Sequence, residues 1–158
     1  MTGCALTGHR ALNTDFSAER AEEDLIYLIC KGVDTFYCGM AMGFDLTCAN
    51  ILLRLKETCN IRLIACIPCA NQAGRFSFEW KRKYRAVLKG ADEVIQLKQE
   101  YDRSCMFERN RYMVDHAQIV YAYCTHARGG TAYTVNYAKK CGKPIFYYGQ
   151  DEQLSLFD

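Results

Sequence analysis

Three short segments of the chain combine glycine with hydroxyl, imidazole or cationic side chains: Thr7-Gly8-His9-Arg10, Gly39-Met40-Ala41-Met42-Gly43-Phe44-Asp45 and Arg128-Gly129-Gly130-Thr131. Glycine at a strand-to-helix turn admits positive φ and lets backbone N–H groups close on an anion, and a helix N-terminus adds partial positive charge. A phosphate group suits that chemistry. Thr131 adds a hydroxyl donor, and Arg10 or Arg128 a charge-assisted one. His9 either contacts a phosphate, acts as a general acid or only orients its turn. Asp45, Glu108 and Asp115 are the carboxylates that could support cleavage of a glycosidic bond, where positive charge develops on the sugar. Asp45 can equally serve its own helix terminus. No G-x-G-x-x-G follows the first apolar run and no G-x-x-x-x-G-K-[ST] occurs, which disfavours ordinary dinucleotide dehydrogenases and P-loop ATPases.

The elements that must position these segments are legible in the periodicity. Apolar runs at Cys4–Thr7, Thr35–Cys38, Ile61–Ile67, Glu93–Leu97, Ile119–Tyr123 and Pro144–Tyr148 read as strands, the third stopped by Pro68. Between them lie helical patterns. The first has Ser17 as N-cap, Ala21, Leu25, Leu28 and Ile29 on one face, Glu19, Glu22, Glu23 and Asp24 on others, and Gly32 at its close. The rest run from about Phe44 to Thr58, Phe76 to Leu88, Phe107 to Ala117 and Thr131 to Lys140. Strands alternating with helices pair in parallel through right-handed crossovers, so the fold class is α/β, a doubly wound, Rossmann-like sheet of about six strands. Loops after the strands then converge on one edge, where ligands bind.

Composition agrees with one such domain. The 158 residues are 50% hydrophobic and 24% charged, a globular balance. With 20 Lys+Arg against 18 Asp+Glu the formal charge is +2, too small for general attraction to nucleic acid or membranes. The basic cluster Lys81, Arg82, Lys83 and Arg85 reads as a solvated helix face. No membrane helix or secretory leader is expected, so the protein is placed in the cytoplasm, and its ten cysteines read as reduced and mostly buried thiols. Cys66-x-x-Cys69 has no second half and is read as chance spacing, with no metal site. Phe76, Trp80 and Tyr84 recur at helical spacing and read as core.

Thr7-Gly8-His9-Arg10, Gly39-x-x-x-Gly43-x-Asp45, Pro68 with Gln72, Trp80, Arg109-Asn110, Met113-Val114-Asp115 and Gly129-Gly130-Thr131 together resemble the YpsA-like branch of the SLOG superfamily, over nearly the whole domain. That superfamily includes the DNA-processing protein DprA and the LOG phosphoribohydrolases, which release a base from a nucleoside monophosphate. The resemblance implies that Gly39, Met40 and Gly43 form one half of a ligand cradle and that Gly129, Gly130 and Thr131 hold phosphate. It also implies that Arg109 and Asn110 contact ligand and that Gln72 and Trp80 wall the cleft or support a base. The LOG enzymes carry a proline before the glycine pair and acidic residues two and three places after the threonine. Here Arg128 stands before the pair, and Tyr133 and Thr134 follow. A nucleotide-derived ligand, nucleotide or ADP-ribose in type, bound for sensing or regulation is therefore expected ahead of hydrolysis. No cofactor is required, and a homo-oligomer is compatible with the sequence.

Residues 1–149 make up this domain and 150–158 a tail. Within the tail, Gln153, Leu154, Leu156 and Phe157 lie on an acidic segment. They either fold back on the domain or, because Gln153-Leu154-Ser155-Leu156-Phe157 resembles the peptide by which bacterial replication proteins dock to the DNA sliding clamp, bind that partner.

Overall fold

The structure, a computed structural model, describes residues 2–150. The tail residues Gln153, Leu154, Leu156 and Phe157 lie outside the described residues. Eleven elements alternate: β1 (Gly3–Gly8), α1 (Ala18–Cys30), β2 (Thr35–Cys38), α2 (Phe44–Leu55), β3 (Arg62–Cys69), α3 (Phe78–Gly90), β4 (Glu93–Lys98), α4 (Cys105–His116), β5 (Ile119–Tyr123), α5 (Gly130–Lys140) and β6 (Ile145–Tyr147). All five strand pairs are parallel, in the order β4-β3-β2-β1-β5-β6.

That order fixes where a ligand fits. The chain winds outward from β1 to β4, then crosses back to place β5 on the other side of β1, so strand order reverses between β1 and β5. Their register sets Thr7 against Ala122 and Gly8 against Tyr123, which opens both following loops at the same level. Residues of α1, α2 and α3 join one core cluster and those of α4 and α5 the other, so helices cover both faces. Strands β2 and β5 are buried throughout and β1 nearly so, as central strands must be, whereas the edge strand β4 is largely open.

Two local departures have physical reasons. Pro68 does not stop β3, which continues to Cys69. Strand β2 ends at Cys38, opposite Ala65, so Pro68 lies where β3 has a neighbour on the β4 side only, and an edge position tolerates the missing N–H. Asp24 is not on a solvated face. It sits between Ala21 and Leu28 on the inner stripe, where its Oδ2 accepts from the Tyr121 hydroxyl at 2.7 Å and the Gly149 N–H at 3.0 Å. Arg20 Nε lies 3.4 Å from the other oxygen. A carboxylate so supplied is tolerated inside an apolar stripe. The Ser17 cap forms as expected, its Oγ accepting from the Arg20 N–H at 3.3 Å.

All ten cysteines are free thiols. Cys4, Cys38, Cys48, Cys66, Cys69 and Cys105 are buried, while Cys30 and Cys141 are exposed at helix ends. No described helix is long and apolar enough to cross a membrane.

Candidate ligand site at the strand switch point

A cleft of about 840 Å³ opens over the carboxyl ends of the strands. Of the residues singled out in the sequence, Thr7, Gly8, His9, Arg10, Asp45, Gln72, Arg109, Asn110, Gly129, Gly130 and Thr131 line it. Gly39, Met40 and Gly43 are buried behind its floor, and Trp80 packs against the core beneath α3 with the Lys83 ammonium 4.5 Å from its ring. Ala41 and Met42, between those glycines, do line it, so the segment 39–43 reaches the cleft through its middle residues while its glycines lie behind, and Trp80 does not wall the cleft. Asn71, Arg75, Phe76, Tyr101 and His126 also line it. They follow β3, β4 and β5, so the rule that strand-end loops build the site covers them, although most sit in loops with no glycine pair to draw attention.

One part of the cleft is lined by the start of α5. Gly129 has φ 108, a conformation glycine tolerates, and no side chain caps the helix. The first N–H groups of α5 are therefore left without a capping partner. A Cβ added at Gly129 or Gly130 would meet nothing within 4 Å, so no neighbouring side chain requires a glycine at Gly130. Thr131 is buried beside them, and its hydroxyl has no hydrogen-bond partner among the described residues. Arg10, Arg75 and Arg128 are exposed around the rim and pair with no carboxylate among the described residues.

Across the mouth, the β1 and β5 loops are tied together. The Thr125 N–H donates to His9 Nε2 at 2.8 Å, and the His9 and His126 rings lie 4.5 Å apart. Partial burial, then the neighbouring His126, push the His9 pKa down. An Nε2 that accepts leaves the ring proton on Nδ1.

The floor is built around Arg109, itself buried. Its Nη1 donates to the Gly39 carbonyl, its Nε to Asn110 Oδ1 at 2.8 Å and its Nη2 to Met106 Sδ at 3.6 Å. Gln72 Nε2 donates to the same carbonyl at 2.8 Å, and Gln72 Oε1 accepts from the Tyr84 hydroxyl at 3.3 Å. Gln72 is therefore engaged at both ends. Burial pulls the Arg109 pKa down and Asp45 pulls it back up.

Asp45, at the first turn of α2, is the only carboxylate lining the cleft among the described residues. It is 5% exposed, and Oδ2 accepts from the Ala41 N–H at 3.3 Å. Its Oδ1 is buried with no partner. Burial pushes this carboxyl up to about 6, against the pull of Arg109 and of the Ala41 N–H. Leaving such a group unsatisfied costs about 1–3 kcal/mol. Met40, two places from Cys38 at the end of β2, holds φ 66, a strained region for a residue with a side chain.

The other two carboxylates considered for catalysis point elsewhere. Glu108 pairs with Lys98 at 2.8 Å, and Asp115 accepts from the Tyr137 hydroxyl at 2.7 Å on α4. Where acidic residues would follow Thr131, Tyr133 accepts from Arg111 at 2.6 Å and the Thr134 hydroxyl donates back to the Gly130 carbonyl at 2.9 Å.

A parallel doubly wound sheet with a polar cleft at its switch point, an uncapped helix start and a buried carboxylate in its lining, defines a Rossmann-like α/β class. The chain belongs to the YspA SLOG family, whose sequence model matches residues 8–148. It is 30% identical over 118 residues to the SPbeta prophage-derived protein YoqJ of Bacillus subtilis, covering 66% of this chain and 69% of that protein. It is 27% identical over 123 residues to the UPF0398 protein BH1768 of Halalkalibacterium halodurans, covering 75% of this chain and 65% of that one.

Among solved structures, DNA processing protein A from Streptococcus pneumoniae superposes with a TM-score of 0.70 at 19% identity, over 92% of this chain and 50% of its own. DNA processing protein A from Helicobacter pylori, which binds single-stranded DNA, also gives 0.70, at 18% identity over 98% of this chain and 67% of its own. This chain thus spans half to two thirds of those proteins, and the likeness is one of fold.

Proposed function

We propose that the cleft binds a phosphate-bearing, nucleotide-derived ligand, a nucleotide or ADP-ribose in type, and that the domain senses this ligand without cleaving it. The observation that carries the reading is the open start of α5. Among the described residues, no neighbour requires Gly130 to lack a side chain, the Thr131 hydroxyl has no partner, and three arginines without a carboxylate partner surround the opening. A phosphate on the α5 amides places the rest of a nucleotide along the floor toward Asp45 and Asn110.

Sensing is favoured over hydrolysis by the first turn of α5, which holds no acidic residue. A glycosidase needs a carboxylate beside the sugar and an acid at the leaving base, whereas Asp45 stands alone in the lining. The tail would then be the route by which binding is communicated, to the domain's own surface or to a sliding clamp. No cofactor enters this scheme, and the cytoplasm is its natural compartment.

Incubation with AMP and with ADP-ribose tests it. The expected result is a raised Tm with no free base detected by chromatography, and about tenfold weaker binding in Thr131→Val. Free base released in proportion to protein would replace the sensor by an enzyme. No stabilisation by either ligand would remove the phosphate site altogether.

A further inference from the structure

Two aspartates are buried in this fold, and their surroundings differ. Asp24 accepts from the Tyr121 hydroxyl and the Gly149 N–H and is ion-paired with Arg20, as a structural carboxylate is. Asp45 has one donor on Oδ2 and none on Oδ1, and it sits on the floor of the cleft. Asn110, also in the lining, has its Oδ1 held by Arg109, itself close enough to Asp45 to interact with it electrostatically, and this turns the Asn110 amide N–H groups to the other side. The loop that carries Asp45 keeps a strained Met40, and strain of that kind persists where surroundings enforce a particular placement.

We infer that Asp45 and Asn110 together read the vicinal hydroxyls of a ribose, so that the cleft selects ribonucleotide-type over 2′-deoxyribonucleotide-type ligands. This rests on the proposed phosphate site at α5. An ionised carboxylate only accepts and the free amide side of Asn110 only donates, so the group that satisfies both must donate to one and accept from the other. A diol does this. A second phosphate does not, because its charge would face the unpaired Oδ1. Torsion about the carboxylate's Cβ–Cγ bond is broad, so a small rotation brings Oδ1 to the ligand side. The missing donor of the free protein is then the ligand's own hydroxyl.

Calorimetric titration of the full chain at pH 7.5 with AMP and ADP-ribose, each against its 2′-deoxy counterpart, tests the inference. Wild type is expected to bind the ribo forms at least about tenfold more tightly, because a site built for a hydroxyl penalises the analogue that lacks it. In Asp45→Asn the preference should fall below about threefold while the deoxy forms bind as before. Should that variant not fold, Asn110→Ala, which removes the donor half, must lower the preference in its place. Equal binding of ribo and deoxy forms by wild type overturns the reading of Asp45 but leaves the phosphate site standing. An unchanged preference in the folded variants also overturns it. Failure of wild type to bind any of the four overturns the proposed function and this inference with it.

Discussion

Two strand-end loops of this protein look alike on paper and are built for opposite purposes. Both run from the end of a buried strand through two glycines into a helix. In the β2–α2 loop the glycines are closed over by the protein itself. A Cβ at Gly39 would lie 2.9 Å from Arg109 Cζ, and one at Gly43 would lie 2.6 Å from the His9 carbonyl oxygen and closer still to that of Arg10. The first N–H of α2 already donates to the His9 carbonyl at 3.2 Å. In the β5–α5 loop a Cβ at Gly129 or Gly130 would meet nothing within 4 Å among the described residues, and no described side chain caps the helix start. The two glycine-rich turns therefore differ in whether the missing Cβ leaves space that the described residues do not fill.

Substitution at matched positions should break the comparison most visibly. Gly43 has φ 80 and no room, so Gly43→Ala is expected to lower stability by about 3–4 kcal/mol in urea denaturation. Gly130→Ala should change stability by no more than about 0.5 kcal/mol while weakening AMP or ADP-ribose binding at least tenfold. Similar stability losses at both positions would mean that the two loops do not differ as described.

Arg109 is the pin of the closed loop, and Arg109→Lys sharpens the same point. Lysine cannot reach Gly39 and Asn110 with one planar fork, so a loss of about 2–3 kcal/mol is expected in the same assay. A neutral substitution would show that the fork does not hold the floor.

Asp45 should give the smallest effect and the one most dependent on pH. Its carboxyl is held near 6 in the fold against an ordinary 3.8, so the folded protein takes up the proton more readily than the unfolded chain. The cost of burying the charge, about 3 kcal/mol, is full above pH 6 and is relieved as pH falls toward 4. Asp45→Asn is expected to be more stable than wild type by about 1–3 kcal/mol at pH 7.5, with the gap closing between pH 6 and pH 4. A gap that does not vary with pH would contradict the burial argument.

The fold is almost wholly legible in the residues because buried parallel strands and one-sided helices impose distinct periods on the chain. Pro68 was misread because its tolerance depends on where the neighbouring strand ends, which is a property of register. Asp24 was misread because donors from β5 and the segment after β6, with the Arg20 ion pair, convert a polar position into a buried one. At the site, the convergence of the β1 and β5 loops followed from topology alone. Which glycines are covered by the chain did not, because that depends on Arg109 and on the His9 and Arg10 carbonyls, all distant in sequence from the glycines they cover. Arg75 and Tyr101 line the cleft from loops whose sequences carry no phosphate signature.

The central claim is that the ligand's phosphate occupies the β5–α5 loop and leaves the covered glycines of the β2–α2 loop undisturbed. Titration of 15N-labelled protein with AMP and with ADP-ribose, followed by amide chemical shifts, measures this most directly. The account predicts large shifts for Gly129, Gly130 and Thr131 and small ones for Gly39 and Gly43. Large shifts confined to Gly39 and Gly43, with Gly129 to Thr131 unmoved at saturation, would contradict it.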